Sequence, residues 1–296
     1  MRIISFGEIL WDIIKGVPHI GGAPFNLAAH CAKMGAASFL ISSVGDDDLG
    51  RRALCAASGH GIDVSGVKIH PALPTGVVDV HLSSDGIPDF GIRGPAAWDE
   101  IDLGEKGIDA IADQECDALC FGTLAQRSSK NREALARLLD ALKPPLVFYD
   151  VNIRQTYYER EWIEQSLMRS DVVKLNDDEA RFLSSIFFSA FLDEHDFAVR
   201  LCDSYSIRIM CVTRGERGAA VYGEGRFIEI PGIPVRVADT VGAGDAFSAG
   251  FLYSHLRGHD IEESASFAVR IGSFVASRKG AVPEYSDGII KEINSI

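Results

Sequence analysis

The stretch "DTVGAGDAFSAG", Asp239–Gly250, sets two glycines one residue apart, an acid directly behind the second, and then small and apolar residues. It is not a G-x-G-x-x-G dinucleotide fingerprint, because Phe247 stands at the third glycine position, and no Lys-Ser or Lys-Thr follows to make a P-loop. Ala246, Phe247, Ala249, Phe251 and Leu252 continue as a good helix, so the segment opens one. A glycine-flanked helix start presents free N–H groups, and such a start attracts anions. Asp245 falls in the first turn, where an acid either caps the helix or does chemistry beside the anion. The stretch alone leaves both readings open.

A second glycine cluster, "GGAPFNLAAHCAKMG" at 21–35, also opens a helix, with Pro24 near its start and Asn26 in the first turn. The Asn26 amide offers a donor and an acceptor, which suits hydroxyl groups. Just upstream, "GEILWD" ends the first strand-like run with Asp12, and α/β folds place ligand contacts at the carboxyl ends of strands. In "DVNIR", 150–154, an extended chain points Asp150, Asn152 and Arg154 to one side, a set fit for a polyol or phosphate. "NDDE", 176–179, reads either as a capping box from Asn176 to Glu179 or as a carboxylate near a divalent cation. "TRGERG", 213–218, ends a strand and turns through two glycines, as a nucleotide-cradling loop does.

Apolar runs at 38–45, 118–124, 145–151, 171–176 and 207–215, together with "RIISFGEIL" at the start, alternate with segments of helical period such as Leu135, Leu138, Leu139 and Leu142. The runs are apolar on both faces, which predicts an α/β fold around a mostly parallel sheet. "TGVVDVHLSSDGIPDFGI", 75–92, breaks the alternation with two strands around a turn at Asp85–Gly86, and suggests a small cover sheet. "SSIFFSAFL", 184–192, reads as core helix or loop.

The chain has 296 residues, 47% of them hydrophobic, enough for one full core. With 29 basic against 42 acidic residues its net charge is −13, so nucleic acid and anionic membranes are repelled. No secretory leader or membrane span is visible, which leads us to expect a cytoplasmic protein. The six cysteines lie among apolar neighbours and are expected to be buried, reduced thiols. No H-E-x-x-H pattern and no G-x-S-x-G elbow is present.

Taken together, these motifs resemble the ribokinase-like (PfkB-type) carbohydrate kinases along the whole chain. Residues 21–35 resemble the family's amino-terminal signature and 239–252 its carboxy-terminal one. "VGDDDLG" at 44–50, "PTG" at 74–76, "NDDE" and "TRGERG" follow in the family order, and "GGAPFN", "FGTLAQR" at 121–127 and "DVNIR" are most like the fructokinase branch. The resemblance implies a single three-layer αβα kinase domain over 1–296 with a β-sheet lid, formed roughly by 13–20 and 74–98. It implies transfer of the ATP γ-phosphate to a sugar hydroxyl, with Mg²⁺ and with a monovalent cation such as K⁺.

Carried over by motif, the resemblance implies that Asp245 would be the catalytic base and that the N–H groups of Gly242, Ala243 and Gly244 would form the anion hole. Asp12, Gly21, Gly22, Asn26, Gln126, Asp150, Asn152 and Arg154 would meet the sugar. Asn176, Thr213, Gly215, Gly218, Gly242 and Gly244 would follow the nucleotide, and Glu179 would place Mg²⁺ through water. A homodimer through the lid is a further expectation. A helix N-terminus is expected to depress the pKa of Asp245. Ribose, 2-keto-3-deoxygluconate and nucleoside kinases are rivals on the same fold, and a sugar sensor that has lost catalysis is the rival outside enzymes.

Overall fold

The apolar runs become the parallel heart of a ten-stranded sheet in the computed structural model, which describes residues 1–82 and 88–296. Val172–Asn176, Val147–Asp150, Ala118–Gly122, Arg2–Phe6 and Ala37–Gly45 lie side by side in that order, all parallel. Ile209–Thr213 adds a further parallel strand beyond Val172–Asn176, and the antiparallel Ala219–Gly223 and Arg226–Ile230 close that edge. Ile62–Asp63 and Val67–His70 pair with Ala37–Gly45 at the other edge.

Helices cover both faces. Ala23–Lys33, Ala243–Leu256 and Ile261–Ala276 bury an apolar cluster that includes Leu27, Phe251 and Phe267. The helices between Gly104 and Tyr205 bury another on the opposite face, around Leu138, Tyr149 and Phe197. The leucine stripe works as its spacing predicts. Leu135, Leu138 and Leu139 are at most 5% exposed in Ser129–Leu142, each contributing roughly 1.5–3 kcal/mol of transfer free energy. "SSIFFSAFL" splits, with the helix Asp177–Phe188 ending inside it and the rest forming a loop.

Strand order reverses at Arg2–Phe6, which has Ala37–Gly45 on one side and Ala118–Gly122 on the other. Such a switch point opens a crevice at the carboxyl ends of the strands. Here the first run departs from expectation. "RIISFGEIL" is not one strand. It leaves the large sheet after Phe6, passes through Gly7–Ile9, and enters a separate four-stranded sheet as Leu10–Ile14.

That small sheet has the order Val17–Gly21, Leu10–Ile14, Gly76–Leu82, Pro88–Ile92. A two-residue turn with positive φ at Lys15 (50°) and Gly16 (78°) joins its first hairpin, the handedness that suits twisted strands. The expected turn at Asp85–Gly86 lies outside the described residues. All six cysteines are free, but burial was expected too widely: Cys55 is exposed and Cys116 half-buried. Among the described residues no helix is long and apolar enough to cross a membrane.

Candidate active site

The helix Ala243–Leu256 begins at Gly242, whose φ of 79° is left-handed. A side chain there would be strained, and its Cβ would also lie 2.5 Å from the carbonyl oxygen of Ala281. Among the described residues the N–H groups of Gly242, Gly244 and Asp245 have no partner, while Ala246 N–H donates to Gly242 O. Ala243 differs from the expected anion hole: its N–H leans on Thr240 O at 3.3 Å. The donors best placed for an anion are therefore Gly242, Gly244 and Asp245.

Asp245 is tied across the site. Asn26, in the first turn of Ala23–Lys33, donates from Nδ2 to Asp245 Oδ2 at 2.7 Å. The two glycine-led helix starts, far apart in sequence, thus meet through one hydrogen bond. The Asp245 carboxyl is pushed above the ordinary carboxylate range by burial and by the charge of Asp150, against the opposing pull of Asn26, Lys174 and Arg154. The expected depression by the helix terminus is overturned, because desolvation and a neighbouring like charge outweigh one terminus.

Under this turn lies a residue that sequence reasoning passed over. Lys174, buried in Val172–Asn176, reaches Asp150 with Nζ at 3.1 and 3.2 Å from the two carboxylate oxygens. A Cβ on Gly244 would stand 3.2 Å from the same Nζ, so the ammonium sits directly beneath the helix start. Ser248 Oγ donates to Asp150 Oδ2 at 2.9 Å. Burial pulls the Lys174 ammonium down, but the carboxylates of Asp150, Glu179 and Asp245 more than offset this and its pKa is raised. It stays charged. A lysine inside a run apolar on both faces was the available signal, since a buried charge requires a partner.

"DVNIR" does not run extended as predicted. The strand stops at Asp150, and Asn152 turns with a φ of 39°. Glu179 accounts for the bend: its Oε1 accepts from Ile153 N–H at 2.8 Å and its Oε2 from Asn176 N–H at 2.8 Å. Asn176 Oδ1 in turn accepts from Glu179 N–H, so the capping box is real. Asp150 and Asn152 are buried and Arg154 exposed, rather than three groups on one face. The Arg154 charge nevertheless acts on Glu8, Asp12 and Asp245.

On the small-sheet side, Asp12 pairs with His19 and Gly21 with Leu10, and the Asp12 side chain reaches diagonally toward Gly21, where a Cβ would meet Oδ2 at 2.6 Å. Burial lifts Asp12 to about 6, partly offset by Arg154 and His19. Gly22 has a φ of 107° and packs on the Glu8 carbonyl, 2.4 Å from where its Cβ would be.

Glu8 was also missed. It is 3% exposed, its Oε2 has no partner among the described residues, and burial lifts its pKa to about 7, with the Glu8 and Ala23 amides and Arg154 pulling back. The sign follows. The folded form holds this proton between the unfolded value near 4.5 and about 7, so the stability contribution is full at low pH and is lost as pH rises through 7. Glu8→Gln, which never ionises, is therefore expected to gain stability over the parent by up to about 3 kcal/mol between pH 4.5 and 8, measured by urea unfolding at each pH. A difference that stays flat with pH rules out a buried, titrating Glu8.

At the far side, Asn176 and Thr213 are cross-strand neighbours, with Gly215 and Gly218 in the turn beyond. Arg214 is held by Glu194 and Glu229. Gln126 is not brought to the Asp245 group. Its amide donates to Gly122 O and to Ser166 Oγ.

A model of the pfkB family carbohydrate kinases matches residues 7–287. Fructokinase-1 of Oryza sativa subsp. japonica is 28% identical, with 95% of this chain and 93% of that protein aligned. The fold is shared with the Xylella fastidiosa fructokinase solved with bound ATP, at a TM-score of 0.86 and 21% identity over 99% of this chain and 98% of that one. It is shared also with the Vibrio cholerae fructokinase solved with fructose, ADP and calcium ion, at 0.85 and 22% over the same shares.

Proposed function

The chain belongs to the pfkB family of carbohydrate kinases, and we propose that it transfers the γ-phosphate of ATP to a hydroxyl of D-fructose. One observation carries the transfer chemistry: Asp245 stands in the first turn of a helix where the Gly242 and Gly244 N–H groups have no partner among the described residues, and Asn26 of the opposite helix holds it. Fructose is supported by the fructokinase relatives and by the "GGAPFN" and "DVNIR" stretches.

In this reading Asp12, Gly21, Gly22 and Asn26 bound the sugar, and Asp245 accepts the proton of the attacking hydroxyl. Its raised pKa makes it a stronger base than an ordinary carboxylate. The N–H groups of Gly242 and Gly244 receive the phosphoryl oxygens in transit, with the Lys174 ammonium below them adding charge that needs no reorganisation. Asn176, Thr213, Gly215 and Gly218 follow the nucleotide.

A divalent cation fits only at a distance. Both Glu179 oxygens already accept backbone N–H groups, and Asp150 is paired with Lys174, so these carboxylates would hold Mg²⁺ through water. Mg²⁺ bound with the triphosphate supplies neutralising charge that a chain of net −13 otherwise lacks.

ADP release measured over a panel of fructose, ribose, 2-keto-3-deoxygluconate and nucleosides tests the reading. Fructose is expected to give the highest kcat/KM. Faster turnover of another acceptor reassigns the substrate, and sugar binding without ADP release replaces the kinase by a sensor.

A further inference from the structure

His30 lies one helical turn beyond Asn26, fully buried, and both of its ring nitrogens are used. Nε2 is 3.0 Å from Ala281 O, and Nδ1 is 2.8 Å from Tyr285 Oη. A carbonyl only accepts, so Nε2 carries the hydrogen and Nδ1 accepts from the tyrosine hydroxyl. Burial keeps the ring neutral by lowering its pKa to about 4, so this tautomer holds at physiological pH.

The carbonyl that His30 grips is the one against Gly242. Ala281 presses its Cα and O onto the left-handed cap, at 2.7 and 2.5 Å from a would-be Cβ. The same loop is tied on its other side, where Gly280 N–H donates to Asp239 Oδ2. The segment at 280–285 is thus strung between the start of "DTVGAGD" and the helix that carries Asn26.

We propose that His30 is a positioning residue for phosphoryl transfer, fixing the Gly242–Asp245 turn from behind through the Ala281 carbonyl while Asn26 fixes it from the front. One helix then grips the catalytic turn at two points a turn apart. The inference rests on the kinase reading above, but its physical content, a clamped helix start, is measurable without turnover.

Two amides of different reach test it. His30→Gln can bring an N–H to the place of Nε2, whereas His30→Asn is too short to reach Ala281. For whichever sugar the parent turns over, His30→Gln is expected within about 3-fold of the parent kcat. His30→Asn should lie at least about 10-fold below, with sugar KM within about 2-fold in both, because displacing a catalytic group by a fraction of an ångström is costly while Asn26 still meets the sugar. Amide hydrogen exchange at Ala243 and Ala246, whose N–H groups are bonded to Thr240 O and Gly242 O, should be faster in His30→Asn than in His30→Gln.

Cys31→Ala, buried on the same helix and with no hydrogen bond to 280–285 among the described residues, controls for general loosening and should keep kcat within about 2-fold. Equal kcat and equal exchange in the two amide variants overturn the proposal, as does an equal loss in Cys31→Ala. Should either amide variant fail to fold, Tyr285→Phe gives the answer. It removes one hydroxyl from the clamp, and unchanged exchange at Ala243 and Ala246 overturns the role. A parent inert toward every sugar refutes the kinase reading and leaves the exchange result to judge the clamp.

Discussion

Asp245→Asn is expected to lower kcat by at least ~100-fold, the usual contribution of a general base, while ADP and ATP still bind. The variant is chosen because it is isosteric. Its Oδ1 can still accept from Asn26 Nδ2, so the link between the two helix starts survives and only the proton acceptor is removed. Nucleotide affinity should change little, since the N–H groups of Gly242 and Gly244 are main-chain and remain in place. Relief from the neighbouring Asp150 charge should hold or raise thermal stability, so the loss cannot be ascribed to unfolding. Steady-state rates with the preferred sugar, beside calorimetric titration with ADP, make the check. Turnover within 10-fold of the parent would remove Asp245 from the chemistry.

The second large effect belongs to Lys174. Lys174→Met should cost about 3–5 kcal/mol of stability, because it strands a buried carboxylate at Asp150. Turnover should fall as well, since the cation beneath Gly244 is gone. The two consequences separate in a double variant. Lys174→Met with Asp150→Asn removes both charges and lets Ser248 keep its acceptor, so stability should return while kcat does not. Urea unfolding and rates on the single and double variants decide it. A single variant within 1 kcal/mol of the parent would mean that the pair is hydrated and weak, and recovered turnover in the double variant would make Lys174 purely structural.

Much of this was legible in the chain. Periodicity is local, so the strand at 38–45 and the stripe from Leu135 to Leu142 announced themselves. The two glycine clusters did so as well, because a helix start with free N–H groups has few other ways to be written. What periodicity could not show was where a continuous apolar run changes sheets. "RIISFGEIL" keeps its apolar pattern through Gly7 and Glu8, yet Arg2–Phe6 pair with 37–41 while Leu10 opens a strand, Leu10–Ile14, that pairs with 76–80.

Burial of charge was hidden for a related reason. Lys174 is tolerable inside the sheet only because Asp150, on the neighbouring strand, faces it. Glu8 is buried beside the start of another element, whose Ala23 amide acts on its carboxyl. Neither partnership has a spacing rule. The course of 150–154 was misjudged because an extended chain is the default after a strand, and only the distant Glu179 carboxylate makes the bend favourable. The sign of the Asp245 shift failed in the same way, as the helix start was visible and the desolvation and Asp150 were not.

Glu179 carries a last consequence, one for modularity. Its two oxygens fasten the loop that ends in Arg154 to the first turn of the helix that follows Asn176. The stretch assigned to the acceptor and the stretch assigned to the nucleotide therefore share a single rivet. Segment 151–158 is not an interchangeable cassette. A relative's loop grafted here would inherit its shape only if its own bend also offers an N–H to residue 179, so recombination among these kinases should preserve the loop and the rivet as one unit.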